Sequence, residues 1–132
     1  MKTMVVGASK GLGRALIEGL GEHGDTLIGV SRGRPENLEG KAGVDLRWVE
    51  ADLSAPAKAA QIIKDAVVEG GLDTLIYNLG IWEEFAFDPA YNFMADQDDQ
   101  VEAIVSCNIT STIVLIKRLL PLLLESKTRG SY

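Results

Sequence analysis

The heptapeptide Gly7-Ala8-Ser9-Lys10-Gly11-Leu12-Gly13 carries residue types suited to holding a diphosphate. A diphosphate needs backbone N–H donors at a helix N-terminus and no Cβ atoms barring its close approach. Gly7 permits a sharp turn, Gly11 lets the phosphates come near, and Gly13 allows a helix to pack closely on a strand. The spacing is G-x-x-x-G-x-G rather than the more general G-x-G-x-x-G, and glycine-rich turns that bind nothing also occur. Ser31 and Arg32 follow at the distance, about 20 residues, where a dinucleotide fold places the group that reads the ribose 2′ position. A carboxylate there would repel a 2′-phosphate, whereas the Arg32 guanidinium can take it in two charge-assisted hydrogen bonds. Such a bond contributes about 1.5–3 kcal/mol, enough to decide between cofactors. Ser31, Arg32 and Lys10 therefore predict NADP(H) in preference to NAD(H). The alternative is that Arg32 and Arg34 are solvated loop charges.

The elements that must position these residues can be read from the apolar periodicity. Met4-Val5-Val6 is a short continuous apolar run, as in a strand buried on both faces of a parallel sheet. Leu12, Ala15, Leu16, Gly19 and Leu20 then recur at three- and four-residue spacing, the stripe of a helix. Thr26 to Val30 predicts a second strand, and 31–43 a polar loop with one helical turn after Pro35. Val44 to Glu50 alternates apolar and polar residues, as an edge strand does. Ala57 to Glu69 reads as a helix stopped by Gly70-Gly71, and Thr74 to Tyr77 as a fourth, buried strand. Residues 82–95 read as a long loop with a short helix.

A long helix is predicted from about Asp98 to Ser126, with Asp96, Asp98 and Asp99 at its positive end. Val101, Ile104, Val105, Thr112 and Ile116 make one stripe on it, and Asn108 falls on that stripe. A buried amide must find partners or cost a few kcal/mol, so Asn108 either bonds to nearby backbone or serves a site. Strand and helix alternate throughout, which predicts an α/β fold with a parallel sheet and right-handed crossovers.

Composition excludes several classes. The chain has 132 residues, 46% hydrophobic and 24% charged, the make-up of one globular domain rather than of a disordered segment. A net charge of −6 argues against nucleic acid, which needs a basic stripe to neutralise phosphates. The lone Cys107 cannot form an internal disulfide, so a reducing cytoplasm is the expected compartment. No membrane association is expected, because the most apolar run, Ile113 to Leu124, is interrupted by Lys117, Arg118 and Pro121. No metal site is predicted.

Taken in order, these motifs resemble the short-chain dehydrogenase/reductase family along nearly all 132 residues. The family's glycine turn has the spacing seen at Gly7, Gly11 and Gly13. Its adenine-contacting Asp after the third strand matches Asp52 in Ala51-Asp52-Leu53, although Asp52 also suits a cap for the following turn. The family's Asn-Asn-Ala-Gly after the fourth strand is similar to Tyr77-Asn78-Leu79-Gly80, of which only Asn78 and Gly80 are kept. Its helical Asn, which holds a water linking the active site to solvent, matches Asn108. Val6 stands where the family often has Thr. The resemblance implies a Rossmann-type doubly wound sheet, a small carbonyl or alcohol substrate, and homo-oligomers built partly on the long helix. The implied cofactor-binding set is Gly7, Ser9, Lys10, Gly11, Leu12, Gly13, Ser31, Arg32, Asp52, Leu53, Asn78 and Gly80, with Asn108 in the catalytic machinery.

The family's chemistry also needs a Tyr-x-x-x-Lys pair and a Ser, in which the Lys lowers the phenol's pKa. Tyr77 is followed at that spacing by Ile81 and Tyr91 by Ala95, and Tyr132 is the last residue, so no such pair is present. Arg129-Gly130-Ser131-Tyr132 resembles the approach to a fifth strand, which predicts an incomplete sheet of about four strands and the cofactor-binding part of an oxidoreductase truncated before its catalytic residues. The competing expectation is a non-catalytic nucleotide-binding or interaction module on the same fold.

Overall fold

In the computed structural model, which describes residues 1–67, 70–83 and 85–127, the apolar runs become the strands of one parallel sheet. The strands are β1 (Lys2–Val6), β2 (Thr26–Ser31), β3 (Asp45–Glu50) and β4 (Thr74–Tyr77), and the helices are α1 (Gly11–Gly19), α2 (Pro56–Ala66), α3 (Asp98–Val105) and α4 (Ser111–Leu124). The strand order is β3-β2-β1-β4, with every pairing parallel. This is the Rossmann type of α/β sheet. The predicted start of a fifth strand, 129–132, lies outside the described residues.

Burial explains each strand's pattern. Met4, Val5 and Val6 of β1 are fully buried because the strand is central and covered on both faces. The alternation in β3 marks an edge strand, with Leu46 and Trp48 half-buried on the α1 face and Asp45 and Arg47 exposed. The strand β4 is half-buried along its whole length rather than fully buried, because it is the other edge. Val5, Ala8, Ile17, Leu27 and Leu38 form the core on the α1 face. The opposite face holds the larger core, where Ile63 of α2 and Leu115 and Leu119 of α4 meet Met4, Ile28 and Val30. Each such fully buried aliphatic side chain contributes about 1.5–3 kcal/mol.

The long helix differs from its expected form. It is continuous from Asp98 to Leu124, but Ser106–Thr110 are wound as a π turn between α3 and α4. One extra residue rotates the two halves relative to each other by about 100°. The buried side is therefore Cys107, Ser111, Leu115 and Leu119, while Val101, Val105 and Ile116 of the expected stripe are exposed. The helix has 27 residues and a mean hydropathy of 1.5 over an 18-residue window, long and apolar enough to cross a bilayer by those two measures. Core helices meet the same test, and this one packs on α2.

Candidate functional site

All the motifs meet at one end of the sheet. In a parallel sheet every strand's C-terminus lies on the same edge, and β1 sends its connection one way while β4 pairs on its other side. Such a switch point leaves a crevice at the C-terminal edge, where ligands bind in open α/β sheets. Gly7 leaves β1 there, Ser31 ends β2, Glu50 ends β3, and Asn78 follows β4.

The three glycines have three different reasons to be glycine. Gly7 has φ +82°, and a Cβ there would sit 2.9 Å from the Asn78 carbonyl oxygen and the Leu79 nitrogen. The turn therefore lies directly against the segment after β4. Gly13 is pressed on Gly7, whose carbonyl oxygen would be 2.0 Å from a Cβ at position 13. Gly11 has φ +55° and nothing within 4 Å of its would-be Cβ, so its surface is open.

The amides sort in the same way. Those of Gly7 and Ala8 both donate to the Val30 carbonyl, at 2.9 and 3.1 Å. Those of Gly11, Leu12 and Gly13 begin α1 and have no partner within the helix. No side chain caps α1, and its first turn holds no acidic residue. An anion accepting from these donors is favoured by the helix dipole as well. Lys10 and Leu12 are exposed beside them, and Ser9 is half-buried. The residues present thus fit a diphosphate group.

The second part of the site is a cavity of about 270 Å³ lined by Arg32, Glu50, Ala51, Asp52, Ala55, Lys58, Ala59 and Ile62. Arg32 is exposed at its mouth. Ser31 is buried, and its hydroxyl donates to the Gly33 carbonyl at 2.8 Å, so it orders the loop that carries Arg32. Asp52 Oδ1 accepts from the Ser54 backbone N–H at 3.0 Å, the capping geometry that its sequence also allows. Hydrogen bonds from Ser54 hold the Asp52 carboxyl below its usual range, and the Arg32 guanidinium adds to that effect. Leu53 is buried, and its carbonyl accepts from the buried Ser111 hydroxyl of α4. That bond ties the Asp52-Leu53 corner to the long helix.

Asn108 ties the other corner. Its Oδ1 accepts from the Ile81 N–H and its Nδ2 donates to the Ile81 carbonyl, both at 2.8 Å. The π turn is what aims this amide at the segment following Gly80. The Thr112 hydroxyl donates to the Asn108 carbonyl at 2.7 Å. The structure thus brings together Gly7, Asn78, Gly80 and Asn108 in one corner and Arg32 and Asp52 in the other. Ile81, Ser111, Glu50 and Lys58 escaped the sequence reading. Two of them carried a signal: Glu50 as the last residue of the expected third strand, and Lys58 as a cation in the first turn of a helix that starts beside the end of β3.

A second cavity, of about 380 Å³, lies under the 85–97 loop beside the start of α3. Its polar groups are occupied with one another. Asp88 accepts from Ala90 N–H, Asn92 from Met94 N–H, and the Tyr91 hydroxyl donates to Asp96 Oδ2 at 2.6 Å. That bond to a carboxylate pushes the Tyr91 phenol up to about 12, from an ordinary 10.0. A phenol whose folded pKa is raised stabilises the fold below its unfolded value, and the contribution fades as pH rises from about 10 to about 12. Titrating phenolate absorbance is expected to show a late step for Tyr91, which Asp96→Asn moves back to the ordinary range. A Tyr91 step unmoved by Asp96→Asn would assign the shift elsewhere. No group of three or more potential metal-ligating side chains occurs among the described residues.

Comparison with known proteins agrees with this geometry. The family model described as short chain dehydrogenase matches residues 2–131. The 3-oxoacyl-[acyl-carrier-protein] reductase FabG of Salmonella typhimurium is 26% identical over 127 residues, covering 94% of this chain and 50% of its own length. L-sorbose reductase of Gluconobacter frateurii, solved with NADPH and L-sorbose, shares the fold with a TM-score of 0.76 at 22% identity, over 92% of this chain and 47% of that one. An NADH-dependent reductase A1-R′, solved with NAD, superposes with a TM-score of 0.75 at 25% identity, over 92% of this chain and 51% of that one. The chain therefore spans about half the length of the proteins it matches. With its glycine turn, its Asp52 corner and its Asn108 clamp all on the matched residues, this chain belongs to the short-chain dehydrogenase family.

Proposed function

We propose that residues 1–132 are a single NADP(H)-binding domain of an oxidoreductase that moves hydride between the nicotinamide and a small carbonyl or alcohol substrate. The observation that carries the reading is the uncapped start of α1 at the open surface of Gly11. Arg32 stands at the same end of the sheet, at the mouth of a cavity that also holds Asp52. The cofactor, when bound, supplies or accepts the hydride. The amides of Gly11, Leu12 and Gly13 hold its diphosphate, with Ser9 and Lys10 alongside. Asp52 and Leu53 receive the adenine, and Arg32 binds the 2′-phosphate, on a loop that Ser31 orders. Asn78 and Gly80 border the diphosphate from the β4 side. Asn108 holds that border in place and contributes to the active site through it.

Cofactor choice is the measurable part. Calorimetric titration is expected to give heat with NADPH and less affinity for NADH. Arg32→Asp is expected to weaken NADPH about tenfold or more and relatively favour NADH, since it exchanges a charged hydrogen bond for a repulsion. Unchanged relative affinities would remove Arg32 from the role, and no heat with any pyridine nucleotide would end the reading.

The absence of Tyr-x-x-x-Lys among the 132 residues favours one second reading, a non-catalytic nucleotide-binding or interaction module. By either reading this chain alone turns over NADPH with carbonyl compounds at a negligible rate. The two part when a Ser and a Tyr-x-x-x-Lys segment follow in the same protein. The net charge of −6 speaks against nucleic acid as a partner. A buried, unpaired Cys107 supports a cytoplasmic setting. The exposed flank of Val105, Ile109, Ile113 and Leu120 supports burial against a second copy or further chain.

A further inference from the structure

We propose that Lys58 is a further cation, beside Arg32 and Lys10, for the cofactor's 2′-phosphate and that, with Glu50 opposing it, it sets how strongly the site prefers a phosphorylated ribose. The proposal rests on the nucleotide reading of the cavity between β2, β3 and α2. Four charged side chains line that cavity: Arg32, Lys58, Glu50 and Asp52. Their formal charges cancel. Arg32 and Lys58 are the two cations of that lining, and without Lys58 its formal charge is negative.

The position of Lys58 supports the role. It is the third residue of α2, in a first turn that contains no acidic side chain. Ala55 at the cap offers no side-chain hydrogen bond, and Pro56 opens the helix. A lysine at the positive end of a helix dipole is unfavourable by itself, so an anion seated there relieves both the helix end and the ammonium. Lys58 is exposed, and among the described residues neither its side chain nor that of Arg32 makes a hydrogen bond or an ion pair. Glu50 is held against the cavity from the other side, where its Oε1 accepts from the Arg34 backbone N–H at 3.3 Å. Ala55, Ala59 and Ile62 leave room between the charges.

Titration of the chain with 2′,5′-ADP and with 5′-AMP separates the phosphate from the rest of the nucleotide. Lys58→Met keeps the aliphatic stem and removes the charge. It is expected to weaken 2′,5′-ADP about tenfold while leaving 5′-AMP within about twofold. Glu50→Gln is expected to act oppositely, tightening 2′,5′-ADP several-fold with 5′-AMP unchanged. Binding of 2′,5′-ADP that ignores Lys58→Met, or an equal loss for both nucleotides, overturns the assignment of Lys58 and leaves the site reading standing. No heat from either nucleotide with the unaltered chain overturns both.

Discussion

Gly13→Ala is expected to cost about 3 kcal/mol and to lower the melting temperature by about 10 °C. A Cβ at this position would lie 2.0 Å from the Gly7 carbonyl oxygen and 2.9 Å from its carbon. Both are backbone atoms, so no side chain can swing aside and the first turn of α1 must lift off β1. That movement would also open the core under Ile17, which is fully buried on the same helix. Gly11→Ala makes the opposite pair of expectations. Its added methyl meets nothing within 4 Å, and the φ of +55° costs only about 1 kcal/mol for a non-glycine residue. The fold is retained, but the methyl stands on the open surface proposed to receive the diphosphate, so nucleotide affinity is expected to fall by an order of magnitude or more. Thermal melts and calorimetry on the two variants separate packing from binding. Equal melting temperatures, or full nucleotide affinity in Gly11→Ala, would overturn the division of labour between these glycines.

The turn at Gly7 and the close packing at Gly13 were readable in the sequence because glycine spacing reports where a backbone must turn or touch. The strands were readable for a related reason: β1 and β2 are covered on both faces and so are continuously apolar, while β3, at an edge, alternates. The loop from Arg32 to Gly43 was legible from its polar, glycine- and proline-containing make-up, although no helical turn forms after Pro35. The face of the long helix was not legible. Apolar residues run all the way round it, so Val101, Val105 and Ile116 offered a stripe as regular as the one formed by Cys107, Ser111, Leu115 and Leu119. No residue type announces the π turn that chooses between them, because i→i+5 and i→i+4 pairing use the same backbone groups and the tertiary packing of the helix selects one or the other. Here the docking is done by the Ser111 hydroxyl on the Leu53 carbonyl, a contact across 58 residues of sequence. The charges of the corner around Arg32 and Asp52 were half legible for the same reason. Arg32, Glu50 and Asp52 stand at or just beyond strand ends, whereas Lys58 joins them only once α2 has folded back over β3.

Asn108 tests how far that long-range docking matters, because one side chain makes both bonds that hold the segment after Gly80. Asn108→Ala removes two neutral hydrogen bonds, an expected loss of about 2 kcal/mol in denaturant unfolding. The Ile81 amide is then expected to exchange with solvent much faster than in the parent chain. Asn108→Asp gives the sharper result. Its carboxylate can still accept from the Ile81 N–H but must face the Ile81 carbonyl oxygen, where Asn108 had placed a donor. Protonation restores that donor, so the carbonyl favours the neutral acid and raises its pKa in the folded state. A raised pKa contributes stability that is present at low pH and lost as pH rises through the folded value. Relative to the parent chain, Asn108→Asp is therefore expected to be weakest at neutral pH and to recover toward about pH 4. The parent needs no such recovery, because an amide presents donor and acceptor together at every pH. If the Ile81 amide keeps its protection in Asn108→Ala, or the Asp variant's deficit does not change with pH, the clamp is not what positions this edge of the candidate site.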